Sequence, residues 1–358
     1  MKILQLISAS TWNGQARTAF NQAECLARRG HDVAVVTHRH WAGEHLVVKA
    51  GLTHHAIRMG GILDFLSPVS LAKVLRQAGR CVLHVHTFYG CQLALKARAL
   101  SDNPDIKIVF TVHDVPDSLT PWLKESLGRA DALIVESRWA MGRLYALGYK
   151  GIGRVELAVP GTSTVDQVTP LPCQKSAEAP LTFVYHGELT KAKGVDLLIQ
   201  AFLDISELNV RLLVCGEGRG RFVMPLIRMV RNAHLDDRVE WLGATDDVRA
   251  ALMRADVGVY PSREPQSFRL ALLECMAEGR PVITTTCGST GEILVSDRCG
   301  ILVESDSRAA LAKAMRQIYA DRSNMLRMAE TSRSRVVSAF SMARHTDQIE
   351  KVYASLWS

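Results

Sequence analysis

Short apolar runs rich in β-branched residues alternate with helical segments along most of this chain, and that alternation limits the folds it can adopt. KILQLISAS is followed by the helical TAFNQAECLARRGH, which ends at Gly30, a typical C-terminal cap, and then by DVAVVTH. CVLHVHT, KIVFTVHD and DALIVES continue the series, with helical segments between them. Repeated strand–helix–strand units predict a parallel sheet with helices on both faces, which is the doubly wound α/β class.

The alternation stops once and then starts again. PGTSTVDQVTPLPCQKSAEAP is rich in Pro, Ser and Thr and predicts a linker, after which LTFVYHG, VRLLVCGEG, RVEWLG, DVGVYPS, PVITTT and GILVE are further strand patterns. A length of 358 residues favours two domains at roughly 150 residues each. We therefore expect Rossmann-like domains at 1–165 and 181–339, a linker at 166–180, and an amphipathic C-terminal helix at 340–358 that crosses back to the first domain.

Composition narrows the class of partner. The chain is 47% hydrophobic and 22% charged, which is typical of a globular protein, and its formal net charge is +7. That modest excess fits an acidic substrate such as a nucleotide, or loose attraction to an anionic membrane face. No run of Lys and Arg interleaved with aromatic residues indicates nucleic-acid binding, and no apolar run reaches the roughly 18 residues of a spanning helix.

Cysteine usage and the N-terminus bear on the compartment. The eight cysteines are scattered, form no CxxC pair and often lie in apolar runs, which predicts buried, reduced thiols and a cytoplasmic protein. MKILQLISAS is too short in its apolar part for a signal peptide and predicts a first strand.

Several loops that follow strand patterns could contact a phosphate. In SASTWNGQARTAF, Gly14 would let the backbone approach an anion at a helix N-terminus, but the loop is not a full GxGxxG and lacks a Walker lysine, so a plain turn is the alternative. Lys193 precedes a helix in YHGELTKAKGVDLLIQAF and could hold a diphosphate, or be a solvated loop lysine. The glycines of GEGRGR, which begins at Gly216, suit a turn near a nucleotide but are weak signals alone.

Histidines form a second group of candidates. His113 ends the strand pattern KIVFTVHD and so points towards the ligand-binding edge of a parallel sheet, where it could donate a hydrogen bond or act as a base. His84 and His86 share one face of HVHT, but no third metal ligand stands at a useful spacing, which favours structural or cleft-lining roles. The remaining candidates are expected on the surface or in loops: His38, His40, His45, His54 and His55.

Polar residues also punctuate PSREPQSFRLALLECMAEGRPVITT. Glu264 and Gln266 fall on the predicted loop, and Glu274 is expected at the start of the following helix. A carboxylate there could accept hydrogen bonds from two ribose hydroxyls, as acidic residues do in other nucleotide-binding folds. The alternative is a carboxylate that only complements the helix dipole.

In order and spacing, these segments resemble the family 4 retaining glycosyltransferases, which have the GT-B fold of two Rossmann-like domains with a cleft between them. The resemblance covers essentially the whole chain. The matching segments are the Gly14 loop, LARRGHDVAVVT, FTVHD, HGELTKAKGVDLLIQAF, LLVCGEG, RVEWLG, ADVGVYPS, FRLALLECMAEGRPVITT with GSTGEIL, GILVE and FSMARHTDQIEKVY.

The resemblance implies roles for individual residues. The C-terminal domain would bind a nucleotide-sugar donor, the N-terminal domain the acceptor, and no metal is expected; the chain has no Asp-x-Asp motif. Glu274 would bind the donor ribose, Lys193 the diphosphate, and His113 would lie beside the reacting face of the sugar. The other residues expected at the donor are Gly14, Gly187, Lys191, Gly216, Ser267, Phe268, Arg269 and Leu270.

Three departures from the family pattern affect these roles. Glu188 stands where the family has an arginine that helps neutralise the diphosphate, and Lys191 or Arg269 could compensate. Arg269 itself replaces a loop glycine. The first of the family's paired glutamates would fall on Gln266 by spacing, whereas the REP spelling favours Glu264, so both are kept as candidates for that role.

The sequence thus predicts sugar transfer from a nucleotide-sugar to an acceptor hydroxyl, with a saccharide or lipid-linked saccharide of bacterial polysaccharide or lipopolysaccharide assembly as the expected acceptor. Peripheral contact with an anionic membrane at the cytoplasmic face fits the net charge. The alternatives are a non-catalytic GT-B subunit that binds a partner or glycan, and a sugar-nucleotide epimerase. A dehydrogenase is disfavoured because DVAVVTHRH ends in basic and polar residues rather than an acidic ribose ligand.

Overall fold

The chain divides into two compact units. The computed structural model describes residues 1–9, 14–60, 65–150, 154–162, 178–245 and 247–357. The first unit comprises Met1–Gly161 with Met342–Ser358, and the second comprises Thr162–Ser341. Of the predicted linker, 166–177 lies outside the described residues, as does Cys173.

The first unit is built on a parallel sheet of seven strands in the order β3-β2-β1-β4-β5-β6-β7. Its strands are β1 (Lys2–Ile7), β2 (Asp32–His38), β3 (Thr53–Ile57), β4 (Cys81–Val85), β5 (Ile106–Val112), β6 (Ala132–Val135) and β7 (Arg154–Leu157). Its first six helices are α1 (Gly14–Arg28), α2 (Glu44–Lys49), α3 (Leu66–Ala78), α4 (Phe88–Ser101), α5 (Pro121–Gly128) and α6 (Arg138–Ala146). In register, Ile3 of β1 pairs with Val33 of β2 and with Val82 of β4.

The second unit repeats the plan with six parallel strands in the order β10-β9-β8-β11-β12-β13. Its strands are β8 (Leu181–His186), β9 (Val210–Cys215), β10 (Val239–Gly243), β11 (Val257–Tyr260), β12 (Val282–Thr285) and β13 (Gly300–Val303). Its helices are α7 (Val195–Leu203), α8 (Gly220–Asn232), α9 (Val248–Arg254), α10 (Leu270–Ala277), α11 (Thr290–Ile293), α12 (Arg308–Ala320) and α13 (Arg322–Ala339). The last helix, α14 (Met342–Ala354), belongs to the first unit.

Two apolar layers hold the first sheet between its helices. One layer joins alternate strand residues to α1, α2 and α14, with Ile3, Ala19 and Tyr353 among its buried members. The other joins the opposite strand faces to helices α3 to α6, with Leu83 and Leu71 among its members. Because both faces are covered, the strands carry near-continuous apolar runs, which is the expected pattern for a parallel sheet.

Side chains at helix ends explain where several helices begin and stop. Thr87 caps α4 by accepting from Gly90 N, and Ser137 caps α6 by accepting from Ala140 N. Beyond the end of α1, Gly30 adopts φ +87°, so the predicted C-terminal cap is confirmed. No helix in the described part of the chain is long and apolar enough to cross a bilayer.

The fold class predicted from the alternation is confirmed, but two strands were not foreseen. His54 and His55, expected on the surface or in a loop, lie within β3, so that prediction was wrong. The pattern THHAI is short and half-buried, and its pairing with β2 rather than local apolarity makes it a strand. β7, with the sequence RVEL, has no fully buried position for a similar reason.

Each sheet order reverses direction at one place. The reversal lies between β1 and β4 in the first sheet and between β8 and β11 in the second. Open α/β sheets bind ligands outside the carboxyl ends of the strands at such a switch point. The residues that follow β1 and β4, and those that follow β8 and β11, are therefore the first places to look for a site.

Candidate functional site

A buried carboxylate at the carboxyl edge of the second sheet is held by two strand-end residues. Glu274 is 6% exposed, and its Oε2 lies 3.0 Å from Nε2 of His186, the last residue of β8. The other ring nitrogen, Nδ1 of His186, lies 2.7 Å from the hydroxyl of Tyr260, the last residue of β11. Burial raises the pKa of Tyr260 well above its usual value, so its hydroxyl keeps its proton, and His186 links that hydroxyl to the carboxylate of Glu274.

The position of Glu274 on its helix differs from the prediction. It is the fifth residue of α10, not a residue of the first turn, so the alternative of a carboxylate that only complements the helix dipole does not apply. The contact with His186, which Tyr260 contacts in turn, fixes one oxygen of the Glu274 carboxylate at the switch point. The carboxylate is thereby oriented to accept hydrogen bonds.

The loop after β8 is packed directly on the loop after β11. The main-chain oxygen of Ala192 accepts from Arg263 N at 2.8 Å and from Ser262 Oγ at 3.2 Å. Arg263 also donates to the carbonyl of Lys191 at 2.8 Å and pairs with Asp196 at 2.6 Å. These bonds fix the backbone of the segment that carries Lys191 and Lys193.

Gly194 is the closest point between these two loops. It adopts φ +72°, and a Cβ there would lie 1.9 Å from the carbonyl oxygen of Pro261. We expect Gly194→Ala to lower the free energy of unfolding by about 3 kcal/mol or more, because left-handed strain and a backbone clash add. Urea denaturation would measure it.

Gly220→Ala is the matched control for that substitution. Gly220 begins α8, has no positive φ, and a Cβ there would meet nothing within 4 Å. Its variant should be as stable as the wild type or slightly more so. Equal urea midpoints of unfolding for the two variants would contradict the close packing at Gly194.

The predicted phosphate glycines Gly187 and Gly216 stand side by side after β8 and β9. A Cβ on Gly216 would lie 1.8 Å from the carbonyl oxygen of Gly187, and Gly216 N donates to Gly243 O at 2.7 Å. Close packing against the protein's own backbone is thus enough to explain why position 216 is a glycine. Phosphate contact at these two residues stays a prediction.

The loops after β11 and β12 each carry a buried serine. Ser289 N donates to the carbonyl of Gln266 at 3.2 Å, which brings the loop after β12 onto the residue preceding Ser267. Ser267 and Ser289 are each 1% exposed, and neither Oγ has a hydrogen-bond partner among the described residues. Since buried polar atoms are nearly always paired, these two point to an occupant such as a polar ligand or water.

The two candidates for the first-glutamate role differ in environment. Glu264 is exposed, whereas Gln266 is half-buried and its backbone is bonded to Ser289. Neither arrangement assigns the role, so the choice between them stays a prediction. Phe268 packs against Phe340 with the rings tilted and 5.7 Å between their centroids, and Leu270 begins α10.

Arg269 turns into the protein and is 6% exposed. Its Nη1 donates to Thr284 Oγ1 at 3.0 Å, and its Nη2 lies 3.4 Å from the carbonyl of Cys287. Among the described residues no carboxylate pairs with it, and its Nε has no partner. Burial lowers the pKa of Arg269 to about 10, which marks a cation that the fold alone does not neutralise.

Arg269→Met should separate folding from binding at this position. Because methionine fills similar space without a buried charge, we expect the free energy of unfolding to rise by about 1–3 kcal/mol. If Arg269 compensates for Glu188, affinity for a nucleoside diphosphate should fall about tenfold, the worth of one charge-assisted hydrogen bond. Denaturation and calorimetric titration measure the two effects. Unchanged affinity would leave Lys191 as the candidate for compensation.

A second carboxylate–histidine pair lies at the carboxyl edge of the first sheet. His113, Glu136 and His86 follow β5, β6 and β4 directly, and all are buried. His113 Nδ1 lies 2.7 Å from Glu136 Oε1, and its Nε2 lies 3.0 Å from His86 Nδ1. His86 Nε2 in turn lies 2.7 Å from Oε1 of Gln5 in β1.

The proton positions in this hydrogen-bonded series follow from the residues at its two ends, Glu136 and Gln5. Burial and the neighbouring histidines hold the pKa of His86 well below its usual value, so His86 is neutral and its single N–H points to the carbonyl oxygen of Gln5. Its Nδ1 must then accept from His113, which also donates to Glu136. Burial alone would lower the pKa of His113, but the charge and hydrogen bond of Glu136 outweigh it and raise that pKa. The imidazolium form of His113 is therefore favoured.

The same edge carries the N-terminus of α1 and a structural histidine. Gly14 is the exposed first residue of α1, and Gln15 Nε2 donates to Asp114 beside His113 at 3.0 Å; residues 10–13 of that loop lie outside the described residues. His84 is fully buried, with Nδ1 2.6 Å from the Tyr353 hydroxyl and Nε2 2.7 Å from Thr111 Oγ1. His84 therefore ties α14 to the sheet, which fits the predicted structural role.

Sequence reasoning placed most of these residues but missed their partners. The structure groups Lys193, Gln266, Ser267, Arg269 and Glu274 on the loops and helix that follow β8 and β11. It adds the partners that the sequence analysis did not single out: His186, Tyr260, Glu136 and Ser289. The available signal was a polar residue at or just beyond the end of each strand, as in VYH, GVY and LIVE.

Two family models match the chain, one in each unit. The model "Glycosyltransferase Family 4" matches residues 12–164, and the model "Glycosyl transferases group 1" matches residues 180–321. The chain belongs to these glycosyltransferases, and the resemblance drawn from its motifs is confirmed.

Individual relatives are more distant. The chain is 31% identical to the N-acetyl-alpha-D-glucosaminyl L-malate synthase of Bacillus anthracis over 49% of its own length and 46% of that protein's. It is 27% identical to the lipopolysaccharide core biosynthesis glycosyltransferase LpsE of Rhizobium meliloti over 74% and 75%. The fold matches HepE of Anabaena, solved with UDP-glucose, with a TM-score of 0.84 and 18% identity over 99% and 100% of the two chains.

Proposed function

We propose that this glycosyltransferase moves a sugar from a nucleoside diphosphate sugar to an acceptor hydroxyl with retention of anomeric configuration and without a metal. The observation that carries the proposal is Glu274, buried and oriented by His186 and Tyr260 at the switch point of the second sheet. Its position suits a carboxylate that accepts the ribose hydroxyls of a nucleotide.

The neighbouring loops supply what the rest of such a donor needs. Ser267 and Ser289 offer buried hydroxyls to a polar occupant, and the ordered segment before α7 carries Lys191 and Lys193. As the bond between the anomeric carbon and the diphosphate breaks, negative charge grows on the leaving phosphate, and cations and amides stabilise it there. The acceptor oxygen bonds to the same face of the sugar, and its proton passes to the departing phosphate oxygen.

For His113 we propose an electrostatic role, in which its positive charge rather than a hydrogen bond stabilises the transferring sugar, because both of its N–H groups are engaged by Glu136 and His86. Both of its ring nitrogens carry protons in the hydrogen-bonded chain from Glu136 to His86, so it has no lone pair with which to act as a base. An imidazolium stabilises electron-rich oxygen atoms instead, which agrees with a reaction in which the leaving group takes the acceptor proton.

The proposed acceptor is a saccharide or lipid-linked saccharide of bacterial polysaccharide or lipopolysaccharide assembly. LpsE of Rhizobium meliloti and the putative colanic acid glycosyltransferase WcaL of Escherichia coli, both similar to this chain, are named for such processes. The net charge of +7 suits a cytoplasmic protein that visits an anionic membrane face. UDP-glucose is the first donor to test, since HepE was solved with it.

The proposal is tested by calorimetric and thermal-shift titration of the purified protein with UDP-, GDP-, ADP- and TDP-sugars. Saturable binding of one nucleotide class supports a transferase and selects the donor for an acceptor search. Turnover of that donor without any acceptor, to an isomeric nucleotide-sugar, would identify an epimerase. Absence of binding to all of them would favour a non-catalytic subunit, with the exposed Glu188 as the first residue to examine.

A further inference from the structure

The first turn of α3 exposes large apolar side chains to solvent. Phe65, Leu66 and Val69 are 82%, 63% and 54% exposed. Single exposed apolar residues are ordinary, but these three share one side of the helix, since Val69 follows Leu66 by three positions and Phe65 by four. The opposite side of α3 is buried in the core through Pro68, Leu71 and neighbouring residues. Among the described residues, it is this buried side that packs α3 into the first unit.

The same face carries positive charge. Lys73 and Arg76 lie seven residues or more beyond Leu66 and are exposed, and Arg58, whose carbonyl accepts from Ser67 Oγ at 2.6 Å, is exposed beside the start of the helix. α3 itself contains no Asp or Glu. An apolar patch bordered by Lys and Arg and free of helix carboxylates is complementary to an anionic bilayer, whose interface takes apolar side chains while its headgroups attract the cations.

The position of this surface in the fold connects it to the site. α3 follows β3, which is parallel to β2, and so the helix begins at the carboxyl edge of the first sheet. His113 and the N-terminus of α1 lie at that same edge. A surface that enters lipid here would bring the carboxyl edge of the first unit close to the headgroups.

We propose that Phe65, Leu66 and Val69 dock the protein on an anionic membrane surface, with Lys73, Arg76 and Arg58 as the electrostatic border. This rests on the proposed function, because it commits the acceptor to a saccharide presented on a lipid. The acceptor headgroup would be taken at the membrane face by the first unit.

The test compares the full chain with Phe65→Ser/Leu66→Ser/Val69→Ser by sedimentation with phosphatidylcholine vesicles, with and without phosphatidylglycerol. The wild type should bind the anionic vesicles, and its binding should weaken as the salt concentration rises. The triple variant should bind them at least about tenfold more weakly. Lys73→Glu/Arg76→Glu should lose the preference for phosphatidylglycerol. Val48→Ser is the matched control, because Val48 is 68% exposed on α2, in the layer on the other face of the sheet; its binding should not change.

Two vesicle results would overturn the docking surface: no binding of the wild type to anionic vesicles, or equal binding of the wild type and the triple variant. A wild-type dimer in sedimentation velocity that is lost in the triple variant would also overturn it, because a second copy of the protein would then occupy the surface. Titration of the same proteins with the nucleotide-sugar keeps the two proposals apart. The triple variant should bind donor as the wild type does, since its changes lie in the first unit. Donor binding without vesicle binding leaves the transferase standing, and vesicle binding without donor binding leaves the docking surface standing.

Discussion

Glu274→Gln should weaken binding of the nucleoside diphosphate sugar by about 10- to 100-fold while the protein stays folded. A hydrogen bond to a charged acceptor contributes about 1.5–3 kcal/mol, and the ribose would lose such an acceptor. A glutamine amide has one acceptor oxygen where the carboxylate has two. It therefore cannot accept both from His186 Nε2, which lies 3.0 Å from Glu274, and from the ribose with separate oxygens. Calorimetric titration of the two proteins with the same donor measures the difference.

Glu278→Gln is the matched control for that experiment. Glu278 ends the same helix, is 1% exposed and pairs with Arg249 at 2.9 Å, so it is a buried carboxylate with a structural partner. Its variant should lose stability, because a buried carboxylate that pairs with Arg249 is neutralised, but it should bind donor normally. If Glu278→Gln weakened donor binding as strongly as Glu274→Gln, the effect would belong to the helix as a whole, and the ribose role of Glu274 would fail.

The fold could be predicted because most of its strands are buried on both faces, and such strands appear in the sequence as apolar runs. Every strand pattern named from the sequence corresponds to a strand in the structure, from KILQLI in β1 to GILV in β13. β3 and β7 escaped notice because THHAI and RVEL have few or no fully buried positions. A strand at the edge of a sheet is defined by the neighbour it pairs with, and that information is not local in sequence.

The site was less readable than the fold, because its residues act through partners far away in the chain. Glu274 could be found from its place after a strand and a loop, but its bond to His186 spans 88 positions. Arg269 shows the opposite case. Its charge suggested a side chain that reaches a phosphate, whereas the structure buries it against Thr284 and the carbonyl of Cys287. Which way a loop side chain turns depends on packing that the local pattern does not contain.

Each unit thus places a carboxylate–histidine pair at the carboxyl edge of its sheet, and the histidine has a different role in each. In the second unit His186 links the hydroxyl of Tyr260 to the carboxylate of Glu274. In the first unit Glu136 favours the charged form of His113, and His86 accepts from His113 while it donates to Gln5. Parallel sheets make both arrangements available because consecutive strand ends lie side by side at one edge.

Glu136→Gln should move the pH dependence of transfer to lower pH. In the wild type the raised pKa of His113 lies above 6.5, so the imidazolium form persists near neutral pH and the rate should fall as pH rises through that raised pKa. Without the carboxylate, burial dominates and the pKa of His113 falls below its usual value. We expect the alkaline limb of kcat/KM to shift by about one pH unit or more, with about a tenfold loss of rate just above neutral pH.

The same pair links stability to pH, and the sign follows from the raised pKa. The stabilisation from protonated His113 is complete below its unfolded pKa and is lost as pH rises through its higher folded pKa. Glu136→Gln should therefore cost most stability in acid, and the difference from the wild type should narrow in alkali. The groups that act on His113 besides Glu136 are His86, Asp114, His84 and His345, and all are unchanged in the variant.

Glu350→Gln separates this effect from the loss of any histidine–carboxylate contact. Glu350 accepts from His31 Nε2 at 2.9 Å on α14, in the same unit, and its pair is partly exposed rather than buried. Its variant should keep the wild-type pH profile of kcat/KM, because solvent replaces the lost carboxylate at a partly exposed histidine. An unmoved alkaline limb in Glu136→Gln, measured from about pH 5 to pH 9 across the range in which histidine titrates, would mean that the charge of His113 takes no part in transfer, and the imidazolium would then only hold β4, β5 and β6 together at the edge of the sheet.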